Sequence, residues 1–475
     1  MEKIKKVIKE ISIQDILWVF IVICPILDIA SFLFRNIFNT NFSPSTIIRP
    51  IIPIIVIIYL FFKRDKKFKL YSFLTFLVYA IYALIHLYLF TKIKTGSSYS
   101  NVIHEAQYII NYSFMILNLF IYIDTFKNKN TDKLKKSLLY ATCIYIGSIY
   151  ISILTKTSSH TYVQEKMGYK GWFESGNSIG AILILTMFVY ITYIKDKKYR
   201  KIVLPLLILV GIYLTTLIGT RVGLLGFILV LSLYIIVEVF YGLLHNKKVN
   251  KKLVLSGSIA IVAIAILVVI FGSTTLERRK HLKEIEGNIV DTALNENAHI
   301  TGDLLDIKNK IDNDALEEGY MSEAQKQSII DLYNTANKLN VKNNDQRMQQ
   351  LIYNIALVKN QKNLALLMFG NGYMANFREL VLEMEVPAFL FNFGVLGFTL
   401  YFVPFLAICV YGIYFGIKNI RKIDDEYIML LLGSGFTFAL SFFSGYTFFN
   451  SSTMMIIIVI YTLLINKMNK VKEEK

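Results

Sequence analysis

The sequence has 475 residues, of which 55% are hydrophobic and 18% are charged, and its mean hydropathy is +0.49. Soluble domains are about a quarter charged, so this balance indicates a membrane protein and excludes an ordinary soluble fold. The formal net charge of +17 would suit a nucleic-acid-binding protein. The lysines, however, lie in short clusters between apolar runs, so no nucleic-acid partner is expected.

Apolar stretches of about twenty residues can each cross a bilayer as a helix. Twelve such stretches lie at residues 13–34, 46–62, 70–91, 106–123, 137–155, 178–194, 202–217, 222–243, 253–272, 386–417, 427–444 and 449–466. They lack the alternation of barrel strands, and backbone groups in lipid must pair within the segment, so helices are predicted. The predicted fold class is therefore all-α, a polytopic integral membrane protein with about twelve transmembrane helices.

The distribution of basic residues predicts how these helices are oriented. With the N-terminus in the cytoplasm, the segments on the inner side hold 30 of the 51 Lys and Arg residues, as the positive-inside rule requires. Both termini are then cytoplasmic, and the expected location is the bacterial inner membrane. The predicted organisation is nine helices in 1–272, a large extracytoplasmic loop carrying part of the active site in 273–385, and three helices with a cytoplasmic tail in 386–475.

The long loop is predicted to be mostly helical. Its segment Ser322-Glu323-Ala324-Gln325 matches a capping box, in which side chains at both ends of the first turn satisfy backbone N–H groups. Apolar residues at helical spacing follow this box, and a similar stripe precedes it. The two stripes are Ile329, Ile330, Tyr333, Ala336 and Leu339, and Leu304, Leu305, Ile307 and Ile311. We expect amphipathic helices that pack on one another or on the membrane surface.

A few charged residues lie where lipid is expected, and a charge at the bilayer centre costs about 3 kcal/mol or more. We interpret Asp28 and Arg49 as structural, through an ion pair that locks the first two helices or through snorkelling to the interface. Arg221 opens the eighth helix between Gly219 and Gly223, which leave its guanidinium uncrowded. An arginine there can bind a phosphate bidentately at a helix N-terminus, which itself favours anions.

The cysteines and histidines do not form a recognisable site. Cys24, Cys143 and Cys409 all lie inside apolar runs without the spacing of metal ligands, so no disulfide, no metal and no cofactor are expected. His86 and His104, near the outer ends of the third and fourth helices, are interpreted as surface residues.

Three short motifs resemble the O-antigen ligase / O-antigen polymerase family. They are Ile218-Gly219-Thr220-Arg221, the run from Gly171 to Asn177, and Phe369-Gly370-Asn371-Gly372-Tyr373 followed by Asn392-Phe393-Gly394-Val395-Leu396-Gly397. The resemblance implies a GT-C-like membrane glycosyltransferase that uses neither a metal nor a nucleotide sugar. It would transfer a glycan from undecaprenyl pyrophosphate to an acceptor hydroxyl with inversion. The implied partners are the lipid-linked oligosaccharide, an acceptor glycan and the bilayer, and a chain-length regulator is a further candidate.

The resemblance also implies roles for individual residues. Arg221 and Arg347 match two arginines that hold the pyrophosphate, and Arg378 is a weaker third candidate. The alternative for Arg347 is a solvated charge on a loop helix. Glu383, eleven residues before Gly394, stands where ligases of the family carry a histidine, and a carboxylate can take the proton of the acceptor hydroxyl.

Two choices stay open at this point. Glu385 lies two residues beyond Glu383, so only one of the two can face the site, and Glu383 is favoured by its position as the base. Asn177, Asn371 and Tyr373 are candidates to bind sugar hydroxyls, but the latter two would equally serve to shape the turn between the neighbouring glycines.

The glutamate at position 383 weakens the match to the ligases and is compatible with a polymerase of lipid-linked repeat units, which is the leading hypothesis. A ligase that moves finished glycan to an envelope acceptor is the second. A flippase or other transporter is the alternative from another class. Transporters of this size carry polar sites at the membrane midplane, whereas the unusual residues here cluster outside the membrane.

Overall fold

The computed structural model describes residues 12–40, 43–92, 101–163, 165–245, 272–281, 303–317, 320–341, 345–373 and 380–473, with scattered residues between 255 and 269. Within these ranges the chain is almost entirely helical, and strand occurs as one short antiparallel hairpin. The predicted all-α fold class is confirmed.

The elements follow one another as helices with a single hairpin inserted. In chain order they are α1 (Ile13–Ile37), α2 (Pro44–Lys63), α3 (Lys66–Thr91), α4 (Val102–Phe126), α5 (Asp132–Leu154), β1 (Ser159–Tyr162), β2 (Met167–Gly171), α6 (Gly176–Tyr190), α7 (Lys197–Ile212), α8 (Arg221–Leu244), α9 (Asp303–Asp312), α10 (Glu323–Lys338), α11 (Gln346–Gln361), α12 (Leu364–Phe369), α13 (Glu385–Tyr401), α14 (Val403–Lys418), α15 (Asp425–Phe443) and α16 (Ser451–Glu473). A 3₁₀ turn extends α6 and a wide π-helical turn, Tyr213–Leu217, ends α7.

The chain is a multi-pass membrane protein. Among the described residues, nine helices are long and apolar enough to cross a membrane, or ten if the bent pair α13 and α14 forms one span. Eleven of the twelve predicted spans coincide with described helices. Half of the residues of the remaining one, 253–272, lie outside the described residues.

The last helix, α16, forms the centre of the bundle. It packs against α4, α6, α14 and α15, and nearly every side chain between Ser452 and Leu464 is buried. By contrast, α3 buries only Tyr82, His86 and Phe90 and turns most of its apolar surface outward. An apolar outer surface is what a helix in contact with lipid requires, because lipid replaces the protein core around it.

The charged pair predicted inside the membrane is present in the structure. The Arg49 guanidinium lies 2.7 Å from the Asp28 carboxylate and also donates to the hydroxyls of Ser451 and Ser452. The Tyr145 hydroxyl donates to the other Asp28 oxygen at 2.9 Å. The pair therefore ties α1 and α2 to α5 and α16.

The loop helices α9, α10 and α11 form a small core of their own. The capping box predicted at Ser322 and Gln325 is confirmed, and α10 packs along α11. The buried apolar side chains of this core include Leu304, Ile307, Ile329, Leu332, Ala336, Ile352, Tyr353 and Leu357. The prediction of amphipathic helices that pack on one another is confirmed.

The turn at residues 370–372 passes over the kink of α13, and the two backbones lie very close together. Gly394 interrupts α13 with φ of 69°, and a Cβ added to it would lie 2.4 Å from the Gly370 nitrogen. Gly370, with φ of 89°, would place a Cβ 2.1 Å from the Asn392 carbonyl oxygen. Glycine is required at both positions because no side chain fits between the two backbones.

The interpretation of His86 as a surface residue is wrong. Its ring is fully buried, with one nitrogen 2.8 Å from the Glu105 carboxylate and the other 2.6 Å from the Phe369 carbonyl oxygen. Glu105 also accepts a hydrogen bond from the Tyr373 N–H at 2.8 Å. The turn that covers His86 comes from a segment far along the chain, which the local sequence around His86 does not reveal.

We predict that Asp28→Asn lowers the free energy of unfolding by about 3 kcal/mol, because it leaves the buried Arg49 charge without a carboxylate. Arg35→Ala is the matched control, because the Arg35–Glu174 pair is 43% and 55% exposed whereas the Arg49–Asp28 pair is 10% and 17% exposed. Thermal unfolding of the purified protein in detergent checks this. Equal midpoints for the two variants would contradict it.

Candidate active site

A cavity of about 980 Å³ lies where the start of α8 meets the end of α15 and the loop helix α11. Its lining divides into two parts. The polar part consists of Tyr162, Asn177, Arg221, Arg278, Arg279, Asp345, Gln346, Arg347, Glu383 and Ser444, and the apolar part of Val222, Leu225, Gly226, Leu229, Phe436, Ala439, Leu440 and Phe443. Four arginines against two carboxylates leave the lining with an excess of two positive charges.

The cavity brings together four of the residues predicted from the sequence. Asn177, Arg221, Arg347 and Glu383 all line it, although they come from four separate segments of the chain. Arg378 lies outside the described residues. Local backbone features place Arg221 and Asn177, and contacts with distant segments place Arg347 and Glu383.

Arg221 is the first residue of α8, and the turn before it is fixed by Gly219 and Thr220. Gly219 has φ of 80°, and the Thr220 side chain caps the helix by accepting a hydrogen bond from the Gly223 N–H at 3.1 Å. Arg221 is exposed to the cavity and has no ion-pair partner among the described side chains. Its guanidinium and the positive end of α8 are therefore both available to an anion.

Asn177 enters the cavity from the neighbouring helix. It is the second residue of α6, whose first turn is capped by Ser175, and a Cβ at Gly180 would contact Ile218 and Thr220. The close packing of α6 on the turn before α8 therefore brings Asn177 and Arg221 into the lining of the same cavity.

Arg347 is held from three sides. Its Nε donates to the Glu383 carboxylate at 3.1 Å, one terminal nitrogen donates to the Ser444 carbonyl at 3.2 Å, and the other donates to the Phe443 carbonyl. It is the second residue of α11, which Asp345 caps. The alternative of a freely solvated loop charge does not describe this arginine.

Glu383 and Glu385 have different surroundings. The Glu383 side chain is about one-third exposed and faces the cavity beside Arg347. Glu385 is fully buried, and its carboxylate accepts hydrogen bonds from the N–H groups of Thr447, Phe448 and Phe449 at 2.6 to 2.8 Å. Only Glu383 is accessible from the cavity, and Glu385 joins α13 to the turn before α16.

Asn371 and Tyr373 lie outside the cavity. Both are part of the buried turn that crosses α13, where the Asn371 N–H donates to the Phe391 carbonyl and the Tyr373 hydroxyl lies 3.0 Å from that of Tyr112. These contacts are those of residues that shape the turn, and a contact of Asn371 or Tyr373 with sugar stays a prediction.

Arg278 and Arg279 line the cavity although the sequence analysis did not single them out. Arg278 stacks on the Tyr162 ring at 3.5 Å and pairs with Glu165 at 2.6 Å. Burial raises the pKa of the Tyr162 phenol, and the Arg278 guanidinium opposes that rise. A pair of adjacent arginines in a long loop has no distinctive spacing, so only the fold shows where they lie.

The arrangement provides positive charge, a carboxylate and a long apolar surface in one cavity. The cationic part can bind a phosphate-bearing group, and the carboxylate can accept a proton. In the part of the chain that the structure describes, no group of three His, Cys, Asp or Glu side chains could hold a metal ion.

A protein family described as O-antigen ligase like membrane protein matches residues 11–471 of the chain. No curated protein and no solved structure matches the chain. Membership of this family indicates a membrane enzyme of the glycosyltransferase type that acts on lipid-linked glycans. Since the match spans nearly the whole length, the chain belongs to the family of O-antigen ligase like membrane proteins.

Proposed function

We propose that the protein polymerises undecaprenyl-pyrophosphate-linked oligosaccharide repeat units into a surface polysaccharide at the outer face of the bacterial inner membrane. The observation that carries this proposal is the composition of the cavity, in which Arg221, Arg347 and Glu383 lie above an apolar groove between α8 and α15. Both chain termini are cytoplasmic in this proposal, which puts the loop helices and the cavity on the outer side.

The donor matches the cavity in its two chemical parts. A polyprenyl pyrophosphate has a long apolar chain and a multiply charged head. The groove residues Leu225, Leu229 and Phe443 are 41% to 68% exposed and suit the chain, because apolar surface gains about 25 cal/mol per Å² when it is buried. The arginines suit the head, because guanidinium groups bind phosphate oxygens with paired hydrogen bonds.

Transfer then consists of one displacement at the anomeric carbon of the donor sugar. The acceptor hydroxyl oxygen forms the new bond to that carbon, and the bond between the carbon and the pyrophosphate oxygen breaks. The lipid pyrophosphate leaves with the electron pair, and its developing charge is stabilised by Arg221 and Arg347. The acceptor proton passes to the Glu383 carboxylate. Attack from the side opposite the leaving group inverts the anomeric configuration.

Glu383 also supports a polymerase over a ligase. The resemblance implies a histidine at this position in ligases of the family, so the glutamate of this chain departs from the ligase pattern. A ligase that transfers the glycan to an envelope acceptor is the second candidate. A flippase fits less well, because the charged cavity residues lie at the loop end of α8 and α15, away from the middle of the spans.

Reconstitution tests the proposal directly. The full-length protein in lipid would receive an undecaprenyl-pyrophosphate-linked repeat unit from the same organism, and the products would be separated by size. A ladder is expected. Transfer that occurs only after a separate acceptor is added would assign a ligase, and an absence of transfer with either substrate would overturn the proposal.

We predict that Arg221→Ala and Arg347→Ala each reduce this transfer by at least about a hundredfold, the scale for losing a group that stabilises transition-state charge. Arg35→Ala, which removes an exposed arginine outside the cavity, is the control and should retain full activity. Initial rates of polymer formation at equal protein amounts check this. Normal polymer from Arg221→Ala would contradict the binding of pyrophosphate in this cavity.

We predict that the two neighbouring glutamates respond differently to the same substitution. Glu383→Gln should abolish transfer and leave the thermal unfolding midpoint within a few degrees of the parent, because its side chain is partly exposed. Glu385→Gln should lower the midpoint, because a neutral amide is a poorer acceptor for three buried N–H groups.

The comparison uses rate and thermal unfolding measured on the same preparations. A stable Glu385→Gln protein without activity, beside an active Glu383→Gln protein, would move the role of base from Glu383 to Glu385.

A further inference from the structure

The start of the long loop is tied to the backbone just before α8. The hydroxyls of Ser273 and Thr274 donate to the carbonyls of Thr215 and Thr216 at 2.8 and 2.7 Å. The Thr275 hydroxyl lies 3.3 Å from the Thr220 carbonyl oxygen. Three consecutive hydroxyls therefore fasten residues 273–275 to the end of α7 and to the residue that caps α8.

The wide turn at the end of α7 makes these contacts possible. Residues Tyr213–Leu217 form a π-helical turn at the end of the helix, and the last carbonyls of a helix have no N–H partner within it. Buried carbonyls need a partner, and Ser273 and Thr274 supply it. These hydrogen bonds therefore connect the segment that carries Arg221 to the segment that carries Arg278 and Arg279.

Arg278 is fixed in turn by the β-hairpin. It stacks on Tyr162 of β1 and pairs with Glu165 of the hairpin turn. The hairpin itself sits tightly on the turn before α8, since a Cβ on Gly168 would lie 2.4 Å from the Ile218 carbonyl oxygen. With Arg278 held on both sides, the backbone that carries Arg279 is held in place as well.

The four cavity arginines differ in how far their charge is already compensated. Arg347 pairs with Glu383 and Arg278 with Glu165. Arg221 and Arg279 line the same cavity, are both exposed, and have no carboxylate partner among the described residues. An anionic ligand gains most from guanidiniums that are not already paired, because it replaces water there and displaces no carboxylate.

We propose that Arg279 is the second uncompensated charge of the pyrophosphate site, acting together with Arg221. Arg278 is a positioning residue that orients Arg279 through Tyr162 and Glu165. Arg347 contacts the leaving group as proposed above, but its larger contribution is to hold Glu383. The inference rests on the proposed function and assigns most of the affinity for the donor head to Arg221 and Arg279, whereas Arg347 acts on the rate of transfer and contributes little to that affinity.

Binding measurements on the full-length protein in lipid nanodiscs separate these contributions. The probes are undecaprenyl pyrophosphate and undecaprenyl monophosphate, each without a glycan. We expect Arg221→Ala and Arg279→Ala each to weaken pyrophosphate binding by about tenfold, the effect of losing one charge-assisted contact of about 1.4 kcal/mol. The same two substitutions should weaken binding of the monophosphate by a smaller factor. Arg347→Ala should bind pyrophosphate within about threefold of the parent while transfer is lost.

Lys280→Ala is the matched control for Arg279→Ala. Lys280 is exposed, adjacent in the chain and equal in charge, but it does not line the cavity. Its removal should leave pyrophosphate affinity unchanged. An equal loss of pyrophosphate affinity in Lys280→Ala and Arg279→Ala would show that the affinity depends on the total positive charge of the loop, and would overturn the proposal.

The other outcomes distinguish this inference from the proposed function. Weak binding in Arg221→Ala with unchanged binding in Arg279→Ala would refute the role of Arg279 and leave the pyrophosphate site in place. Unchanged binding in both variants would refute the site itself. For Arg278, Glu165→Gln should weaken pyrophosphate binding less than Arg279→Ala without changing thermal unfolding, whereas a purely structural contact would lower the unfolding midpoint and leave affinity intact.

Discussion

One side of the cavity depends on the hydrogen bonds that the buried carboxylate of Glu385 accepts. The carboxylate accepts three backbone N–H groups from the turn before α16 and so fixes that turn to the start of α13. The carbonyls just before this turn, at Phe443 and Ser444, hold Arg347. A Cβ on Gly445 would lie 2.4 Å from the Glu383 carbonyl oxygen. The proposed base and its arginine are thus both placed by a residue that never reaches the cavity.

The other side of the cavity is built by the same physical means. A buried polar group in lipid surroundings must find a partner, and here the partners are distant in sequence. Carbonyls of the π-helical turn are paired by hydroxyls of residues 273 and 274, and the Asp28–Arg49 pair is completed by Tyr145 and Ser452. Each of these contacts joins segments that hydrophobic packing alone would leave free to slide.

The features that could be predicted from the sequence are those that depend on a local pattern of residues. The helical spans follow from runs of apolar residues, and Arg221 stands out because an arginine beside glycines opens such a span. Arg347 and Glu383 required the family resemblance, since nothing in their local sequence separates them from solvated loop charges. The choice between Glu383 and Glu385 depends on N–H groups more than sixty residues later. Arg279 lies in the cavity because of hydroxyl contacts to the end of α7, which no spacing rule describes.

The distribution of paired and unpaired arginines has a consequence for catalysis. A guanidinium already held by a carboxylate and two carbonyls, as at Arg347, is oriented before the substrate arrives and needs no reorganisation during the reaction. It gains less from ground-state binding, because its charge is partly compensated. An unpaired arginine such as Arg221 binds the donor head more strongly in the ground state, and it also stabilises the charge that develops on the leaving group. Interactions that strengthen only as the leaving-group charge develops raise the rate of transfer, so a cavity with both kinds of arginine can separate donor capture from acceleration of the displacement.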